Sequence, residues 1–294
     1  MNNMVVFKSG SNFLLTFIAL MLSNNVSADT SVWEVKYDSN TVYLGGTVHL
    51  LRPSDYPLPE EYERAYQASS KIYLETDLSS MNELSVQTKM LEQLTYQNPR
   101  SLKIVLNEEA YTALSDYMVE IGMPLMMMEN FKPGMVISTL QVMEFQRNGF
   151  TPQGVDVYFN NRAIEDAKTL GQLESIQEQI GFLASMGEGN ESEFILLSIR
   201  DLEETTEIMN DMIAAWRTGN NDQLAAMFVT EMQNEAPDLY DTLLRQRNLN
   251  WFPQIEQMLS DSVTEFVLVG AAHLVGPDGL LRLLSRKGYQ VRQL

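Results

Sequence analysis

The 294-residue chain carries 20 basic against 39 acidic residues, two histidines and no cysteine, for a formal net charge of −19. Phosphate backbones and anionic lipid headgroups are repelled by such a surface, which sets nucleic acid and membrane surfaces aside as partners. Without cysteine there are no disulfides and no thiolate ligands, so a metal site has to use His, carboxylate, carbonyl or water.

Residues 1–28 read as a secretory signal. Lys8 is the only charged side chain, residues 13–22 are apolar, and Val26-Ser27-Ala28 supplies small residues ahead of Asp29. The expectation is a mature domain at 29–294, exported to the periplasm and with no membrane anchor. In that domain, residues 32–37 and 41–44 read as a strand hairpin running into Gly45-Gly46, and residues 60–69 as a helix with Tyr62, Ala65 and Tyr66 on its inner side. A strand at 72–74 then delivers Glu75 and Asp77. Helical periodicity covers 81–94, 107–121, 134–147, 155–167, 174–186, 191–217 and 221–232, with a short strand at 170–173. A strand at 265–269, a helix at 278–286 ending at Gly288 and a strand at 289–292 close the chain. No linker divides it, so the predicted fold is a single α+β domain: a central sheet, a long helical middle section, and strands near both ends.

Both histidines sit in the same local text. Gly46-Thr47-Val48-His49-Leu50-Leu51-Arg52-Pro53 and Gly270-Ala271-Ala272-His273-Leu274-Val275-Gly276-Pro277 share Gly-x-x-His-Leu-x-x-Pro, each after an apolar run. Side chains and free amides at strand ends point into a crevice, so His49, His273 and Glu75 are expected to converge in one site. Two imidazoles and a carboxylate form a ligand set of hydrolytic metal centres that keep a position open for water. Gly46 and Gly270 are expected to permit a tight turn and close backbone approach. Asp156 after Gly154 reads as a helix N-terminal carboxylate, and Glu174 as another strand-end one; both are placed as substrate or structural support. Met126-Met127-Met128 fans out around a helix and cannot converge on one ion, so packing or a pliable wall is expected. The acidic run from Asp201 to Glu207 reads as a solvated helix face.

Leu44-Gly45-Gly46-Thr47-Val48-His49, Leu74-Glu75, Gly154-Val155-Asp156, Leu173-Glu174-Ser175, Arg247-Asn248, the second histidine motif, Gly279-Leu280-Leu281 and Lys287-Gly288-Tyr289 occur in the order of the TraB/GumN family, which the chain resembles over nearly all of 29–294. That family resembles the Tiki peptidases and, more remotely, erythromycin esterases. The resemblance implies a hydrolase, peptidase-like, that acts on an amide or ester bond of a peptide or small-molecule substrate with a divalent metal ion such as Zn, Mn or Co. It places the metal ligands on His49, Glu75 and His273, a catalytic role on Glu75, and the family's arginine on Arg247, with Arg245 as the neighbouring alternative. An arginine there could fork a carboxylate or meet an oxyanion; the other reading is a surface helix arginine paired with Asp241. The rival class is a haem-, metal- or peptide-binding accessory protein using the same two histidines.

Overall fold

The computed structural model describes residues 30–294 apart from 98 and 204, and leaves out the side chains of 203–207. The expected leader and most of the acidic run therefore lie outside the described residues. Six strands form one mixed sheet in the order β4-β3-β5-β2-β1-β6, where β1 is Val32–Tyr37, β2 Asn40–Thr47, β3 Lys71–Leu74, β4 Thr169–Gln172, β5 Glu265–Gly270 and β6 Gln290–Gln293. β4, β3, β5 and β2 run parallel, while β1 is antiparallel to both β2 and β6. The fold is the predicted single α+β domain.

The central position of β5 follows from its composition. Phe266-Val267-Leu268-Val269 is apolar without alternation, as a parallel strand covered on both faces requires, and all four residues are buried. The hairpin begins as predicted, with Asp38 at φ 51° in the turn. Its second strand is longer than the sequence suggests, because Gly45 and Gly46 pair with Leu268 and Val269 inside β2. A Cβ on Gly45 would meet the Phe266 ring at 2.7 Å, so glycine lets the bulky side chains of β5 cross over β2.

The main core wraps the sheet. A second apolar cluster lies among Leu102, Leu114, Met118, Leu140 and Ile195 in the helical middle section. There Met128 packs inward while Met126 is 83 % exposed, so only part of the methionine run serves packing. Among the described residues no helix is long and apolar enough to cross a membrane.

The largest departure from expectation is the stretch before β5. Sequence periodicity marks no element between 232 and 265, yet helix Pro237–Tyr240, a π-helical turn Asp241–Arg245 and helix Gln246–Met258 follow one another there. Pro237 starts a helix, where its missing N–H costs nothing, and Pro253 is accommodated inside one. Proline ordinarily ends or kinks a helical pattern. The helix that Pro237 and Pro253 obscure carries Arg247.

Candidate functional site

The site is built where β2, β5 and β3 end side by side. Thr47 pairs with Gly270, so the two histidines lie two and three residues beyond one register pair. The Gly270 N–H donates to Glu75 Oε1 at 2.7 Å, which ties the end of β3 to the end of β5. At the end of β4 the Glu174 N–H donates to the Glu75 carbonyl, and the two glutamates emerge together. Ser175 then caps helix Ile176–Ser185 through a reciprocal bond with Glu178, which fixes the chain just after Glu174.

Arg247 sits in the middle, buried. Its Nε and Nη2 donate to the two oxygens of Glu174 at 3.0 and 2.7 Å, Nη2 also to Glu75 Oε2 at 2.6 Å, and Nη1 to the Leu243 carbonyl at 3.3 Å and His273 Nε2 at 3.1 Å. A guanidinium has five N–H donors, and all five are used. The cation lies over the rings of Trp251 and Phe182, its carbon 4.7 and 5.4 Å from their centroids. Arg245, by contrast, pairs with Asp241 one turn away and stays at the surface. The arginine of the site is Arg247, and the Asp241-paired surface arginine is its neighbour.

The two histidines, alike in sequence, have opposite surroundings. His273 lies on the helical turn Ala271–Leu274 and is 4 % exposed. Asn248 Nδ2 donates to the carbonyls of His273 and Asp278, so Asn248 Oδ1 faces His273 Nδ1 at 2.8 Å as an acceptor. That fixes the proton on Nδ1 and the lone pair on Nε2, toward Arg247. Burial lowers the pKa of His273 to about 3; Glu75 opposes the shift, and Arg247 and His49 add to it. His273 is neutral and locked in one tautomer.

His49 leaves 63 % of its side chain exposed, with Nδ1 2.9 Å from Asp156 Oδ2. The pull of Asp156 pushes its pKa up to about 9; desolvation is the next largest influence and opposes it, and the hydrogen bond to Asp156 and the charge of Glu75 reinforce it. Its Nε2 makes no hydrogen bond among the described residues. Glu75 and Arg247 both act on His49 electrostatically, so its ring belongs to the same field as the buried cluster. Burial alone would raise the carboxyl of Glu75, but Arg247, the charged His49 and the Gly270 N–H outweigh it and hold it well below its ordinary value. Burial raises Glu174, against three N–H donors that favour its ionised form.

Asp156 reaches His49 because Gly154 lets the two segments touch. The Val155 N–H donates to the Val48 carbonyl at 3.0 Å, and a Cβ on Gly154 would stand 2.4 Å from the carbonyl carbon and oxygen of His49. Asp156 therefore serves as the partner of His49, and no side-chain cap bond forms at the N-terminus of helix Val155–Glu165. We predict that Gly154→Ala destabilises the fold by about 3 kcal/mol, since backbone has to move, and returns the His49 pKa toward that of free imidazole; urea unfolding and an NMR titration check both. Gly46 and Gly270 act through close approach alone: neither has a positive φ, and a Cβ on Gly46 would lie 3.2 Å from that of Ala271. Tyr62 and Trp216 both donate to the Gly46 carbonyl from beneath.

Sequence reading assigned no role to Asn248 or Trp251. Trp251 packs on the His273 ring at 4.5 Å between centroids and donates to Glu174 at 3.2 Å. Their signal was the spacing Arg247, Asn248, Trp251, one face of a helix hidden by Pro253. The expected metal ligands do not fit a divalent ion in this arrangement. Arg247 already engages the His273 Nε2 lone pair and Glu75 Oε2, and among the described residues no three His, Asp or Glu side chains are grouped to hold a metal. The site is a buried ion cluster with one exposed imidazole; a cavity of about 630 Å³ lies elsewhere, at Asn107, Asn190 and Arg200.

Strand-end histidines, a strand-end glutamate and a later arginine brought together on one mixed sheet define a class, and the TraB/PrgY/gumN family sequence model matches residues 31–293. The chain belongs to the TraB/PrgY/gumN family. Among its relatives are "Uncharacterized protein YbaP" of Escherichia coli (strain K12) and the protein of the same description from Shigella flexneri, each 23 % identical over 248 residues, or 82 % of this chain and 87 % of the relative. No solved structure matches the chain, so its expected likeness to the erythromycin-esterase and Tiki folds has no structural support.

Proposed function

We propose that this chain is a hydrolase of amide or ester bonds, peptidase-like, that works at the ends of β2, β3 and β5. The observation behind this reading is that two imidazoles with the same local sequence are driven to opposite charge states around one Glu75–Arg247–Glu174 array. Groups whose environments push their pKa values apart are suited to acid and base roles at one pH. His49, protonated and exposed, donates its Nε2 proton to the leaving nitrogen or oxygen. Water adds to the carbonyl carbon as Glu75 accepts its proton, the bond to the leaving group breaks, and the proton returns from Glu75 to His49 through solvent. Arg247 and His273 hold Glu75 in place, because Arg247 has no donor left for an oxyanion.

A metal-dependent version of this reaction is the second reading. It is favoured by the tautomers, since each imidazole has Nδ1 engaged by an acceptor, the outer-shell pattern of metal-bound histidine. It requires Arg247 to leave His273. Haem ligation by both histidines is disfavoured, because both ring nitrogens of buried His273 are taken. The leader-like residues 1–28 and the absence of cysteine support a periplasmic location, which cell fractionation checks.

The test is a panel of fluorogenic peptides and esters offered to protein purified without chelators, alongside metal analysis. Turnover that survives dialysis against EDTA and is lost in His49→Ala supports the leading reading. Turnover lost on chelation and restored by Zn, Mn or Co supports the second.

A further inference from the structure

Water adding to a carbonyl puts negative charge on the carbonyl oxygen, and a hydrogen-bond donor fixed beforehand at that oxygen is a large part of hydrolytic catalysis. Among the described residues three donors reach Glu75: the Gly270 N–H at Oε1, and Arg247 Nη2 and Gln179 Nε2 at Oε2. Gly270 has one N–H, which Glu75 takes, and Arg247 has all five of its N–H groups engaged. Gln179 has two. One faces Glu75, while the second, like the amide oxygen, has no hydrogen-bond partner among the described residues.

The placement of Gln179 suits it to a ligand. Glu75 is ionised and only accepts, so the amide turns its nitrogen toward it and not its oxygen. At 3.4 Å this bond is longer than the usual range of roughly 2.7–3.2 Å. Oε2 also accepts from Arg247 at 2.6 Å, so little is lost when the amide turns to another acceptor. Gln179 is half-buried, whereas Glu75, Glu174 and Arg247 are buried. Its helix, Ile176–Ser185, is fixed at the start by the Ser175–Glu178 bonds directly after Glu174. Farther along it touches helix Pro133–Arg147, where a Cβ on Gly134 would collide with the Leu183 carbonyl. Phe182, three residues after Gln179 and so on the same face, lies over the Arg247 guanidinium. That face covers the ion cluster, with the Gln179 amide at its solvent edge.

We propose that the Gln179 side-chain amide is a catalytic donor of this site, its free N–H meeting the carbonyl oxygen of the bound substrate as negative charge builds there. The assignment rests on the hydrolase reading. In the addition step the water oxygen bonds to the carbonyl carbon, Glu75 takes the water's proton, and the carbonyl π electrons move onto the oxygen that Gln179 holds. No proton passes to or from Gln179. On collapse those electrons re-form the carbonyl, and the leaving nitrogen or oxygen departs with the His49 proton, giving a carboxylic acid and an amine or alcohol. A neutral donor suits this position, because a second cation would pair with Glu75 and be lost to the substrate.

Gln179→Met keeps the length of the side chain and removes both N–H groups. With a substrate from the panel, kcat should fall by about 10²- to 10³-fold at nearly unchanged KM. Gln177→Met, at an exposed position of the same helix, should change neither. Unchanged kcat in Gln179→Met, or a loss expressed in KM alone, would overturn the assignment. A second arm needs no turnover. 1,1,1-Trifluoroacetone is hydrated in water to a tetrahedral diol that resembles the intermediate, and its fluorine NMR signal reports binding. Its Kd should rise about tenfold in Gln179→Met, as for one lost hydrogen bond, and stay unchanged in Gln177→Met. A His49 ring still titrating near pH 9 shows that the variant's site is intact. No binding to the unaltered protein, or equal binding to Gln179→Met, would overturn the proposal. A panel without any turnover counts against the hydrolase reading, and the fluorine signal then still decides whether Gln179 faces a ligand.

Discussion

Arg247→Ala should destabilise the fold by about 3–5 kcal/mol, the cost of leaving a buried ion pair with one partner. The substitution strips Glu174 of two of its three N–H donors, Glu75 of its charge partner and His273 Nε2 of its only donor, all inside the protein. Arg247→Lys should recover little, since an ammonium on a flexible stem cannot span two carboxylates, an imidazole and a carbonyl in one plane. Adding Glu75→Gln and Glu174→Gln to Arg247→Ala should restore part of the stability by removing the unpaired charges. Urea unfolding of the set checks this, and a loss below about 1 kcal/mol for Arg247→Ala would mean the cluster is not the structural centre of the site.

His49→Ala should weigh the other way, costing less stability than Arg247→Ala, through loss of the Asp156 pair alone, and lowering turnover by about 10²- to 10⁴-fold, the usual contribution of a general acid. The side chain is largely solvent-exposed and its ring makes one hydrogen bond, so little packing is lost. The pH dependence has a definite sign. The folded-state pKa of His49 is raised, so the stabilisation from Asp156 is complete below the free-imidazole value of about 6.5 and fades as pH rises through about 9. Turnover that needs His49 as an acid should fall over the same upper range. Asp156→Asn should move that fall toward neutrality, which a kcat/KM profile from pH 6 to 10 detects. The shared local text makes the two histidines look equivalent in sequence. The structure corrects this for His273, whose ring is packed on Trp251 and bonded through both nitrogens, so its loss should cost stability as well.

How far the chain could be read from its letters depended on whether the information was local. The strands, the two histidine turns and Glu75 were legible because an apolar run, a glycine and a turn proline are neighbours in sequence. The choice of Arg247 over Arg245 was not, because two residues on one helix differ only in what lies opposite them. The helix carrying Arg247 was itself masked by Pro237 and Pro253, which a terminus and tertiary packing made tolerable. Asp156 looked like a helix-end carboxylate, and only the close approach over Gly154 turns it toward a histidine 107 residues away. The unequal histidines were the least legible feature. Their local texts match, and their charge states are set by Asp156 for one and by burial beside Arg247 and Asn248 for the other.

Two histidines in the whole chain make a direct measurement simple. With the imidazoles labelled, NMR titration from pH 4 to 10 should show one ring titrating near pH 9, moved downward by Asp156→Asn, and one that stays neutral throughout with its proton on Nδ1. Two rings that both titrate near the free-imidazole value of about 6.5 would contradict the account.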